Sequence, residues 1–152
     1  MKHLLICLVV VLCVTSISAQ TRRAQNAELK IGTINNLSNY LDGCGCTFKS
    51  PSASKNSESY IFLAANDPNR AWLNIDGRVT ALKFVSSTQK SNQRLKKGRS
   101  HTETYRSGDV TVRITYVVTS VGEIESADYA ATVVVIKGNR SKTVKAVGGC
   151  GC

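Results

Sequence analysis

The chain has 152 residues and a formal net charge of +10, from 20 lysines and arginines against 10 aspartates and glutamates. That length suits one domain of ordinary size. The positive balance favours anionic partners and carries no information on fold; beyond the first residues no stretch is apolar enough to cross a bilayer, so an integral membrane protein is not expected.

The amino-terminal residues read as a secretory signal. Lys2 and His3 give a short positive start, Leu4 to Val14 is an unbroken apolar run, and Ile17-Ser18-Ala19 offers small residues at a cleavage site. The apolar run falls short of the about 20 residues a spanning helix needs. Cleavage after Ala19 is expected, which removes Cys7 and Cys13 and, among charged residues, only Lys2. Residues 20–28 then form a flexible polar arm, and 29–152 a single β-rich domain.

Leu29 to Leu41 mixes helical spacing with Gly32, Asn35, Asn36 and Asn39, so a short strand followed by a turn or one helical turn is expected. Pro51 to Ser59 is a Ser-rich loop. Tyr60 to Ala64 is a strand ended by the turn cluster Asn66-Asp67-Pro68-Asn69. Arg70 to Ile75 and Arg78 to Ser86 flank Asp76-Gly77, a hairpin signal, since both central residues must take positive φ. Ser87 to Gly98 has no periodicity and reads as a long basic loop. Thr102 to Arg106 and Asp109 to Thr119 flank Ser107-Gly108, a second hairpin. Val110, Val112, Ile114, Tyr116 and Val118 alternate with Thr111, Arg113, Thr115, Val117 and Thr119, which is strict strand periodicity. Asp128 to Lys137 and Ser141 to Val147 flank Gly138-Asn139. Lys142 and Lys145 mark the last strand as an edge or a solvated face. About seven strands with short connections predict an all-β, mostly antiparallel fold: a small sandwich or partly closed barrel tied by disulfides.

Two short elements carry the specific chemistry. Gly43-Cys44-Gly45-Cys46 recurs as Gly149-Cys150-Gly151-Cys152. On extended backbone, residues two apart face the same side, so each element presents its two sulfurs together. Disulfides joining the two elements are the first reading, because an exported chain with four remaining cysteines belongs to an oxidising compartment. If the elements lie antiparallel, Cys44 pairs with Cys152 and Cys46 with Cys150; if parallel, Cys44 pairs with Cys150 and Cys46 with Cys152. A tetrahedral zinc site on Cys44, Cys46, Cys150 and Cys152 is the alternative, although structural zinc elements usually space cysteines by two to four residues. A redox-active dithiol comes third, since Cys-x-x-Cys is absent.

Lys90, Arg94, Lys96, Lys97 and Arg99 are candidate anion contacts, and no acidic residue lies between Asp76 and Glu103. An anionic surface or polymer is the partner class they suit. A specific nucleic-acid reader is not expected, because no aromatic residue lies between Phe84 and Tyr105 to stack on bases. His101, the only histidine after the signal, reads as an exposed residue near a strand start. Trp72 reads as a packing residue beside the Asp76-Gly77 hairpin.

The paired Gly-Cys-Gly-Cys elements, the stretch Ala71-Trp72-Leu73-Asn74-Ile75-Asp76-Gly77 and the run Tyr105 to Tyr116 resemble a group of uncharacterised exported bacterial proteins. The resemblance implies export and a single domain, and no function comes with it. No convergent catalytic set is legible: Gly-x-Ser-x-Gly is absent, and His101 has no partners at a recognisable spacing. The expectation is a non-catalytic exported binding or structural domain, periplasmic or secreted, without a cofactor. The alternative is an exported metal-binding or thiol-redox protein that uses the two Cys-Gly-Cys elements, with zinc as its metal.

Overall fold

The computed structural model describes residues 27–66, 69–90, 94–122 and 126–152. The expected signal sequence and most of the expected arm therefore lie outside the described residues. The strands are β1 (Ile31–Gly32), β2 (Gly45–Lys49), β3 (Phe62–Ala65), β4 (Arg70–Ile75), β5 (Arg78–Ser87), β6 (Ser100–Ser107), β7 (Val110–Val121), β8 (Ala127–Lys137) and β9 (Arg140–Gly151), with one 3-10 turn at Leu37–Asn39.

Every strand from β2 to β8 pairs antiparallel with the next in sequence, and β9 pairs back with β2. The result is an eight-stranded up-and-down barrel, a closure that removes free sheet edges. The ninth strand, β1, pairs with Asn74 and Ile75 of β4, just past the point where β3 leaves that edge. The all-β antiparallel class expected from sequence holds, and the structure decides for the barrel, fully closed. The added strand is β2, whose Gly45-Cys46-Thr47-Phe48-Lys49 has too little apolar alternation to register as a strand. Nor is β9 an edge: it lies between β8 and β2. Lys145 stays on its solvated side, bonding Thr132, and Lys142 pairs across to Val135 on the inward side and reaches Glu28.

The turns follow their chemistry. Asp76 and Gly77 both take positive φ, 53° and 84°, the type I′ pattern that matches strand twist. The β6–β7 turn is Gly108-Asp109, one residue later than expected, because Gly108 supplies the single positive φ. Gly138 does the same before Asn139. These three hairpins mark one end of the barrel, its floor. The β3–β4, β5–β6 and β7–β8 connections mark the other end, its mouth.

The interior is filled by side chains from alternating positions. Val110, Val112, Ile114, Tyr116 and Val118 of β7 are all buried, as are Ala127, Tyr129, Ala131, Val133 and Val135 of β8. Phe48 packs its ring within 5.4 Å of Tyr116 and 6.3 Å of Phe62, centre to centre. Burying each such side chain contributes about 2–3 kcal/mol. Gly148 stands opposite Phe48. A Cβ there would come within 1.9 Å of the Thr47 carbonyl oxygen, so only glycine lets β2 and β9 approach closely enough to close the barrel.

The floor is plugged from the amino-terminal side. Leu29 is 1 % exposed and belongs to the core. Its flanks are tied to β9 on one side and to the β4–β5 turn on the other. Arg140 Nη1 donates to the Ala27 carbonyl, Lys142 to Glu28, and the Lys30 N–H to Asp76 Oδ1 at 3.1 Å. The Asp76 N–H donates to the Lys30 carbonyl in return. Asp76 Oδ2 also accepts from Lys137 Nζ and Arg140 Nη2, each at 3.0 Å. One carboxylate thus joins the β4–β5 and β8–β9 hairpins across the floor. Its pKa falls from the ordinary 3.8 to about 2, first through the Lys137 hydrogen bond and then through that of the Lys30 backbone.

Candidate functional site

The two cysteine elements meet at the seam where the barrel closes. In the antiparallel β2–β9 ladder Cys46 stands directly opposite Cys150, and Cys44 and Cys152 extend the same register toward the mouth. Disulfides join Cys44 to Cys152 and Cys46 to Cys150, with Cα–Cα separations of 4.1 and 4.0 Å. Of the two pairings that join one element to the other, the antiparallel one is realised. Cys46 and Cys150 pack against the core. With all four sulfurs bonded to each other, none is a thiolate of the kind zinc requires. Bridges of this kind persist in oxidising compartments and are rare in the reducing cytosol.

The basic segment is not a plain solvated loop. Arg94, Lys96, Lys97 and Arg99 are exposed, as is Lys90. Between them Leu95 turns inward and packs against the core. The Gly98 N–H donates to the Val118 carbonyl at 2.8 Å, and the Val118 N–H to the Arg99 carbonyl at 2.9 Å. The segment is therefore pinned to β7 at the mouth, with Leu95 as anchor and the charged side chains outward. Leu95, Arg99, His101 and Val118 enclose only a gap of about 10 Å³ beneath it.

Beneath this segment lies a polar cluster that the sequence did not suggest. On β6, His101, Glu103 and Tyr105 share the inward face, opposite Tyr116, Ile114 and Val112 of β7. Glu103 Oε2 accepts from the Tyr105 hydroxyl at 2.7 Å and the Tyr116 hydroxyl at 3.0 Å. His101 is half-buried rather than exposed, its ring stacked on Tyr116 at 4.7 Å with Tyr129 edge-on at 6.0 Å. Burial pushes the His101 pKa below the ordinary 6.5, a fall partly offset by the Glu103 charge. Tyr105 and Tyr116 rise well above 10, chiefly by burial. Tyr129 rises for the same reason, with Glu103 adding to it. Both phenols bonded to Glu103 stay protonated at neutral pH, so the cluster holds hydroxyl donors rather than nucleophiles. In sequence the strand Ser100–Ser107 carries no apolar face, so nothing in its pattern says which side turns inward.

Two larger recesses lie at the surface. A groove of about 500 Å³ runs between the Ser50–Lys55 loop and β8–β9, with Lys49, Lys55 and Asp128 among its lining residues. Lys49 is engaged there, bonding the Lys55 carbonyl and standing over the Tyr60 ring at 4.9 Å, and Asp128 accepts from Ser120. A second recess of about 390 Å³ is lined by Arg70, Ala81, Leu82, Lys83, Arg106, Ser107 and Gly108. Next to it, on the outer face of β4, Trp72 is half-buried against Tyr40 at 5.6 Å, a packing role as expected.

No protein-family model matches the chain, and it matches neither a curated protein nor a solved structure. The class defined by fold and covalent chemistry is a small up-and-down β-barrel closed through a pair of cross-strand disulfides.

Proposed function

We propose that this protein is a non-catalytic exported binding domain, periplasmic or secreted, that meets an anionic surface or polymer at the barrel mouth. The observation that supports this reading is the pinned basic segment. Leu95 and the Gly98–Arg99 pairing with Val118 fix it to the rim, so Arg94, Lys96, Lys97 and Arg99 are displayed from a rigid base. Charges held on a rigid base lose little entropy when they meet a partner. The signal-like Met1–Ala19 segment and the resemblance to exported bacterial proteins support the compartment, as do the two disulfides.

The test compares the exported protein with the triple variant Lys96→Ser, Lys97→Ser, Arg99→Ser. Cosedimentation with anionic and neutral lipid vesicles and retention on a sulfated-polysaccharide resin are measured at low and physiological salt. Binding is weak, confined to low salt and lost in the variant, because screening limits exposed charges to about 8 Å at physiological ionic strength. Equal binding by the variant would remove this site from consideration. The alternative, an exported metal-binding or thiol-redox protein, uses Cys44, Cys46, Cys150 and Cys152 in reduced form. A free-thiol count on exported material separates the two, zero for the first and four for the second.

A further inference from the structure

A separate group of cations lies on the outer wall of the barrel. Arg70, Lys83 and Arg106 are successive cross-strand partners on β4, β5 and β6: Arg70 stands opposite Lys83, and Lys83 opposite Arg106. All three are exposed and line the recess of about 390 Å³, together with Ser107 at the end of β6 and Gly108 of the β6–β7 turn. Directly opposed residues in antiparallel strands sit about 4.5–5.5 Å apart, and like charges so placed destabilise the sheet.

Among the described residues nothing offsets that repulsion. Among the described residues, none of the three cations takes part in an ion pair or a side-chain hydrogen bond. Their same-face neighbours along the strands are Trp72, Ala81, Thr104 and Gly108, and the next residue across from Arg106 is Thr111. Asp109, in the adjoining turn, forms no ion pair with them. The contrast with the floor is direct, where the cations Lys137 and Arg140 converge on Asp76. It also separates this recess from the groove beside Lys49, whose Lys49 and Asp128 already have partners.

We infer that Arg70, Lys83 and Arg106 form a binding site for a compact tetrahedral oxyanion, a phosphate or sulfate group, either free or carried as an ester on a polysaccharide. Two guanidinium forks flanking an ammonium suit such a group. Arginine binds oxyanions through two parallel N–H donors and lysine adds a point charge, and Ser107 and Gly108 line the same recess. This deepens the reading of the domain as a binding module and places a second contact away from the Lys96–Arg99 rim.

The experiment is an amide NMR titration of the full disulfide-bonded domain at constant ionic strength. The probes are inorganic phosphate, inorganic sulfate and dextran sulfate, with acetate and uncharged dextran as controls. Saturable shifts are expected at Ala81, Lys83, Arg106, Ser107 and Gly108. Saturation by the inorganic ions assigns a free ion; saturation by dextran sulfate alone assigns the polymer-borne group. Lys83→Gln should weaken the response at least fivefold. Lys83→Glu, which pairs with both arginines, should abolish it and at the same time raise the melting temperature at low salt, so loss of binding cannot be confused with loss of fold. With inorganic phosphate and sulfate, the Lys96→Ser, Lys97→Ser, Arg99→Ser variant should keep the wild-type shifts at Ala81, Lys83, Arg106, Ser107 and Gly108, which separates this site from the rim. Linear shifts matched by acetate, or an unchanged response in Lys83→Glu, would overturn the inference.

Discussion

Both disulfides close almost the same loop, and this sets an unusual pattern of stability losses. The sequence separations are 108 for Cys44–Cys152 and 104 for Cys46–Cys150. In the chain-entropy model a single bridge across about 100 residues removes about 4.7 kcal/mol of unfolded-state freedom. Once one bridge is in place, the other closes a ring of only about six residues, for which the same expression leaves about 2 kcal/mol. Replacing Cys44 and Cys152 by serine should therefore cost about 2 kcal/mol, because Cys46–Cys150 still closes the long loop. Replacing Cys46 and Cys150 should cost about the same plus a packing loss, since those two sulfurs lie against the core. Removing both bridges should cost about 7 kcal/mol, comparable to the whole net stability of a domain. Urea unfolding of the three variants measures this directly, and the slope of the transition should steepen only in the variant without bridges, whose unfolded chain exposes the most surface. Single-bridge losses that add up to the double-bridge loss would refute the shared-loop argument.

Asp76→Asn should cost about 1 kcal/mol at neutral pH, less than its full pKa shift implies because solvent screens a partly exposed group. Since the folded pKa lies below the unfolded one, the contribution is complete above about 4 and is lost as pH falls toward about 2; urea titrations at successive pH values check this. Glu103→Ala leaves the Tyr105 and Tyr116 hydroxyls without their acceptor and should cost about 2–4 kcal/mol, readable by the same unfolding assay. Because the folded pKa values of Tyr105 and Tyr116 lie above their unfolded ones, the wild type should lose stability as pH rises beyond about 10, and tyrosinate absorbance should appear together with unfolding. At the mouth, Leu95→Ala should lower stability by about 1–2 kcal/mol, whereas Lys96→Ser, Lys97→Ser, Arg99→Ser should change it by less than about 0.5 kcal/mol in thermal melts.

Local chemistry in the sequence determined much of this barrel. Alternation from Val110 to Thr119 corresponds to β7, and Asp76-Gly77 turns β4 into β5 because both residues accept positive φ. Spacing of the cysteines by two placed each pair of sulfurs on one side of its strand, and the structure retains that. These features rest on bonds and periodicities within a few residues, which a linear chain displays openly. What the tertiary structure alone decided is which elements meet. Barrel closure depends on β2 lying antiparallel to β9, more than a hundred residues away, with Gly148 as the point of close approach. The partial burial of Glu103 and His101 depends on which side of β6 faces inward, and a strand reading Ser-His-Thr-Glu-Thr-Tyr-Arg-Ser has no apolar side to say so. Leu29 becomes a plug only because Ala27 and Glu28 find partners on β9 while Lys30 finds its own in the distant β4–β5 turn. Arg70, Lys83 and Arg106, scattered along the chain, become one row of charge through the register of three strands. Periodicity tells a strand which of its faces is apolar; only long-range pairing tells it whose charges, sulfurs and rings it will stand beside.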